Sequence, residues 1–165
     1  MIYIVCLIVV FGVLAIDLVS KYLVAQAHIN AVIIPELVKF VYTTNTGSAF
    51  SFLGDRRWAM PMFIILTFIV LFIIVGFVIY SIIKKKKLSK WLLIALSLMV
   101  GGAVGNLVDR IAFSYVRDFI FVLYNTKIFT AIFNVADIAL VVGVIMLVIY
   151  LLFLDDEAIF KKSKK

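Results

Sequence analysis

The sequence is nearly without thiol or imidazole: one cysteine, Cys6, and one histidine, His28, stand among its 165 residues. A lone cysteine excludes an intramolecular disulfide and any multi-cysteine metal site. Lying early in an apolar run, Cys6 is expected to be a buried, inert thiol. His28 has no His or Cys companion and is expected at an interface. HExxH, GxSxG and glycine-rich phosphate loops are all absent, so a zinc protease and a triad hydrolase both lack their parts. No metal and no cofactor are expected. Charge is scarce too, at 15% of residues against 66% hydrophobic. A soluble domain is about half apolar and about a quarter charged. The deficit, with a mean hydropathy of +1.24, places the chain in the membrane class.

What the chain does have is four long apolar runs: Ile2 to Val24, Ala59 to Ile83, Trp91 to about Phe113, and about Phe133 to Leu154. Each is long enough to cross a bilayer as a helix. They nearly exhaust the length, so a single domain over residues 1–165 is expected. The net charge of +7 is concentrated in two blocks, KKKKLSK (Lys84 to Lys90) and KKSKK (Lys161 to Lys165). In so apolar a chain, such blocks are orientation signals and contacts for anionic lipid rather than a nucleic-acid footprint. The Lys84–Lys90 connection holds five lysines and the tail four; the other two connections hold Lys39, Arg56 and Arg57, and Arg117 and Lys127. Counting positive charge therefore predicts cytoplasmic N- and C-termini and outward-facing loops. Ala25-Gln26-Ala27 has the form of a secretory cleavage site. Met1-Ile2-Tyr3 supplies no basic n-region, however, and Asp17 and Lys21 precede the cut, so a retained first helix is expected. The outer loops are rich in β-branched and aromatic residues, as in VIIPELVKFVYTTNTGSAFSF and YVRDFIFVLYNTKIF, which predicts short strands and turns.

Polar residues inside apolar spans need a partner or a job. Asp17 and Lys21, four apart, share a helix face and can pair. Ser20 beside Lys21 suggests a Ser/Lys dyad, but neighbours on a helix point about 100° apart. In GGAVGNLVDRIAF, Gly101 and Gly105 permit close helix approach. Gly102, Asn106 and Arg110 follow at fours, and Asp109 is expected to be satisfied by Arg110 and Lys21. Asp118, in YVRDFIF, and Asp137, with Asn134 just before it, belong to the same outer leaflet and can meet there. Carboxylates sharing a dry site hold a proton between them near neutral pH. One member can then take a proton from water while the other polarises a carbonyl. Cation binding or proton relay by a small carrier or channel subunit would use the same groups, and spacing alone leaves these readings open.

Five motifs in order, DLVSK (Asp17 to Lys21), NTGSAF (Asn45 to Phe50), GNLVDR (Gly105 to Arg110), VRDF (Val116 to Phe119) and FNVAD (Phe133 to Asp137), resemble those of the lipoprotein signal peptidases, or signal peptidase II. The resemblance covers nearly the whole chain. It implies an all-α membrane protein of four transmembrane helices with a small extracytoplasmic β-cradle and a short surface helix. It also implies an aspartic endopeptidase of the bacterial plasma or inner membrane, cutting diacylglyceryl-modified prolipoproteins before the lipidated cysteine at the extracytoplasmic face. Asp118 and Asp137 would be the catalytic pair. Asn45, Gly47, Asn106, Arg110 and Asn134 would shape the site and hold substrate, and Asp17, Lys21 and Asp109 would support the polar network. Prolipoprotein and membrane lipid are the implied partners, with no nucleic acid, and a monomer is expected. Three positions depart from the family pattern: Ile138, Ser48 and Arg117, the last with the power to lower the pKa of Asp118. Asp137, near a helix N-terminus, is expected to be the ionised member and Asp118 the protonated one.

Overall fold

The computed structural model describes residues 1–47, 58–124 and 132–154. Ser48, Arg56, Arg57, Lys127 and the lysines at 161–165 lie outside them. The described residues form helix α1 (Ile2–Ala27), strands β1 (Asn30–Ile34) and β2 (Val38–Asn45), helices α2 (Ala59–Ile83) and α3 (Lys90–Phe113), strands β3 (Val116–Val122) and β4 (Ile132–Phe133), and helix α4 (Val135–Ile149), which continues as a π-helical turn, Tyr150–Leu154. The four helical segments are long and apolar enough to cross a membrane. Their outer flanks, with Phe11, Phe68, Phe72 and Ile145 exposed, suit hydrocarbon, where a helix satisfies its own backbone.

α3 is the buried centre of the bundle, and α1, α2 and α4 pack around it. Glycine makes this possible. A Cβ on Gly101 would meet Val13 and the Val10 carbonyl of α1, and a Cβ on Gly102 would strike the Ala136 carbonyl of α4. Successive glycines thus seat two different neighbours, the close approach that small residues give to membrane helices. At the opposite end of α3, Trp91 Nε1 donates to the Met146 carbonyl at 2.7 Å, and Ser89 caps the helix by accepting from Trp91 N.

The strands form one antiparallel sheet in the order β1-β2-β3-β4. The expected strands therefore exist, and the fold is mostly helical with a small sheet. The described parts of the α1–α2 and α3–α4 connections hold strands and turns; the expected short surface helix lies outside the described residues. Thr43 pairs with Asp118 and Asn45 with Val116, while Ile120 pairs with Phe133. Two boundaries differ from expectation. α1 runs on to Ala27 and ends at an exposed His28 in the left-handed conformation, whose ring meets Tyr42 edge-on. Phe133, expected to be helical, belongs to β4, because Asn134 is extended and caps α4.

Candidate active site

The site is built where the C-terminal end of α3, the N-terminal end of α4 and the middle of β3 converge. Asn134 and Asp137 form a capping box: Asp137 N donates to Asn134 Oδ1 at 2.9 Å, and Asn134 N donates to Asp137 Oδ2 at 3.2 Å. The helix start therefore fixes the Asp137 carboxylate. β4 pairs with β3, which sets Asn134 beside Asp118, and Asn134 Nδ2 donates to Asp118 Oδ1 at 2.6 Å. One asparagine thus links both carboxylates.

Two more asparagines complete the ring. Asn45 Oδ1 accepts from Gly47 N at 3.0 Å, which turns its Nδ2 toward Asp118 Oδ2, also at 3.0 Å. Asn106 Oδ1 accepts from Lys21 Nζ at 3.0 Å and from Asn134 Nδ2 at 3.1 Å, leaving Asn106 Nδ2 to donate to Asp137 Oδ1 at 2.7 Å. Every amide oxygen faces a donor and every amide nitrogen an acceptor, so flipping any of the three would set like against like. Both oxygens of both carboxylates accept a hydrogen bond. Asp118 is 2% exposed. Burial first, and then the charge of Asp137, push its carboxyl up to about 6 against the opposing bonds from Asn45 and Asn134. Both carboxylates open onto a cavity of about 260 Å³, lined also by Asn45, Gly47, Asn106, Arg110 and apolar Val116, Ile132, Phe133 and Leu140.

Behind this cavity lies a buried ionic layer. Lys21 Nζ pairs with Asp17 Oδ2 at 2.7 Å and with Asp109 Oδ2 at 3.4 Å, besides its hydrogen bond to Asn106. Asp17 Oδ1 accepts from Ala136 N at 2.8 Å in the first turn of α4, capping that helix from α1. Ser20 donates to the Asp17 carbonyl and makes no dyad with Lys21.

The expected Asp109–Arg110 pair is not made. Asp109 is held by Arg117, with Nη2 at 2.6 Å from Oδ1 and the Arg117 backbone N at 2.9 Å from Oδ2. Consecutive strand residues face opposite ways, so Arg117 turns to α3 while Asp118 turns to the cavity. Arg117 therefore does not act on Asp118. Arg110 is left with a buried Nε that has no hydrogen-bond partner among the described residues, and its guanidinium lies 5.5 Å from the Phe63 ring centroid. Two structural roles carry little or no signal in the sequence. The Arg117 role depends on the β3–α3 fold-back; a carboxylate eight positions before it was the available signal. The Ala136 N–H carries no side-chain signal at all.

The family model described as signal peptidase (SPase) II matches residues 9–153. The chain belongs to the signal peptidase II family. A "Lipoprotein signal peptidase" of Pseudomonas syringae pv. tomato is 38% identical over 145 residues, covering 82% of this chain and 78% of that one. One of Pseudomonas fluorescens is 39% identical, covering 82% and 79%. A bacterial membrane enzyme solved by the in meso method at 2.3 Å resolution superposes with a TM-score of 0.79 at 30% identity, covering 98% of this chain and 94% of that one. This signal peptidase II family member is a multi-pass membrane protease. Of its three departures from the family pattern, Ser48 lies outside the described residues, and the other two turn away from the carboxylates. Ile138 is exposed on the flank of α4, and Arg117 is occupied by Asp109.

Proposed function

We propose that this chain is an aspartic endopeptidase that removes the signal peptide of diacylglyceryl-modified prolipoproteins immediately before the lipidated cysteine. The observation that carries the reading is Asp118 and Asp137 on one cavity, joined through Asn134. Family membership supplies the class of substrate.

Asp137, at the third position of α4 where the helix end favours negative charge, is the ionised member. It takes a proton from water as the water oxygen attacks the carbonyl carbon. Asp118, the protonated member, gives its proton to the carbonyl oxygen. Collapse of the tetrahedral intermediate breaks the C–N bond, and a proton passes to the amine of the cysteine. Asn45, the last residue of β2, and Gly47 just beyond it border the cavity. Arg110, whose Nε has no partner among the described residues, holds the substrate main chain, and Asn106 and Asn134 keep the carboxylates aimed. Asp17, Lys21 and Asp109 hold α1, α3 and α4 in register.

The chain works as a single domain spanning residues 1–165 and as a monomer. Its Lys84–Lys90 connection and both termini lie at the cytoplasmic face of a bacterial plasma or inner membrane, and its cavity lies at the extracytoplasmic face. Five lysines in that connection support the orientation. A proton or cation carrier is not favoured: the charged side chains of the described helices, apart from Lys90 at the start of α3, gather in the one layer beside the cavity.

The test is to incubate purified chain in lipid with a prolipoprotein peptide, diacylated or not. Scission before the cysteine of the diacylated form alone is expected, read by mass spectrometry. Equal cutting of both forms would remove the lipid from the recognition. Ion flux in liposomes without a cleavage product would favour the carrier.

A further inference from the structure

A cavity larger than the one that holds the carboxylates lies elsewhere in the bundle. It has a volume of about 480 Å³ and lies between the end of α2, the start of α3 and the end of α4, walled by Ile74, Phe77, Leu92, Leu96 and Leu147, with Lys86 at its rim. From Leu92 to Asn106, α3 rises about 21 Å, so this cleft occupies the other end of the bundle. Its size falls within the range of small-molecule sites, and its walls are apolar.

Chain geometry fixes the rim. Lys85 is left-handed, with φ 52°. Lys85 N donates to the Ile82 carbonyl at 3.0 Å and Lys86 N to the Ser81 carbonyl at 2.8 Å. This is the Schellman ending, with a lysine at the position usually given to glycine. It folds the chain back so that Lys86 stands over the cleft, its ammonium 5.4 Å from the Tyr80 ring centroid. Lys84, Lys85, Lys87 and Lys90 flank it. A run of lysines after a membrane helix is explained by orientation and by the helix dipole. Neither explains an apolar cleft of this volume directly beneath the run.

Basic pockets between membrane helices take anionic headgroups. We propose that this cleft binds one anionic phospholipid, with an acyl chain between α2 and α4 and the phosphate at Lys86 and its neighbours. The occupant is a bilayer lipid rather than a free phosphate because the walls are apolar and only the rim is charged. The site is separate from the peptidase cavity and does not depend on the reaction proposed there.

The experiment is native mass spectrometry of the full chain in detergent, with phosphatidylglycerol or phosphatidylcholine added. Retention of one phosphatidylglycerol in preference to phosphatidylcholine is expected. Lys86→Gln should lower that retention about fivefold, and Lys39→Gln, on β2, should leave it unchanged. Leu151→Trp, at the exposed rim of the cleft, should abolish it by occupying the acyl path. Ile73→Trp, an exposed cleft residue on α2, provides the same test should Leu151→Trp fail to fold. Wild-type retention in whichever of these folds would mean that lysines gather lipid from the surface, and would overturn the site. Binding of glycerol 1-phosphate as tight as that of the lipid would also overturn it.

Discussion

Arg117 grips Asp109 with its backbone N–H and its guanidinium together, the shorter side-chain contact being 2.6 Å, and Asp109 is fully buried. This joins β3 to α3 one residue before the carboxylate that faces the cavity. Truncating Arg117 would remove the guanidinium and leave Asp109 with the backbone N–H of residue 117 at 2.9 Å and Lys21 as its one cation, at 3.4 Å. Breaking a buried pair by removing one partner costs about 3 kcal/mol or more. Arg117→Met should therefore lower the thermal midpoint in detergent clearly, and Asp109→Asn in the same chain should recover part of it. An unchanged midpoint for Arg117→Met would show that the pair contributes nothing.

Arg110 should behave in the opposite way. It does not hold Asp109, and its Nε has no hydrogen-bond partner among the described residues. Arg110→Met should fold as well as the parent and lose about tenfold or more in kcat/KM, mainly through KM, consistent with a lost substrate contact. Loss of expression with a normal KM would return Arg110 to a structural role.

Two glycines should respond with opposite signs to the same methyl group. Nothing lies within 4 Å of a Cβ on Gly12, whereas a Cβ on Gly102 collides with the Ala136 carbonyl and Leu140. Gly12→Ala should be neutral or stabilising by up to about 1 kcal/mol. Gly102→Ala should destabilise by about 1–3 kcal/mol through overpacking, with reduced turnover because Ala136 neighbours Asp137. Thermal midpoints and turnover of the two variants check this pair.

The pH dependence follows from Asp118, whose carboxyl burial lifts to about 6. If Asp118 is the proton donor, kcat/KM falls as pH rises through about 6 and the donor is lost, as a macroscopic property of the pair. Stability moves the same way. Between about pH 4, where an unfolded aspartate ionises, and about 6, the folded chain keeps a proton the unfolded one has released, so this contribution fades as pH rises. Asp118→Asn should remove that part of the slope. A midpoint–pH curve identical in the two chains would contradict the shift.

Hydropathy located all four helices because hydrocarbon imposes one rule on every residue in a span, and α2 runs from Ala59 to Ile83 as the sequence predicts. The carboxylates and asparagines were legible because few polar residues survive in such a chain without a reason. Pairings across the fold were not. Adjacency in sequence sets Arg117 against Asp118, whereas strand alternation turns the two apart. Apolarity alone places Phe133 in the helix, while the capping box of Asn134 and Asp137 starts the helix two residues later. Pairing needs the register of β3 with β2 and β4, which local composition does not specify.

The central claim is that Asp118 and Asp137 act together on one peptide bond. Asp118→Asn and Asp137→Asn, prepared separately, should fold, keep the asparagine ring and lose about a thousandfold or more of turnover on a diacylated prolipoprotein peptide. Parental turnover in either folded variant would contradict it.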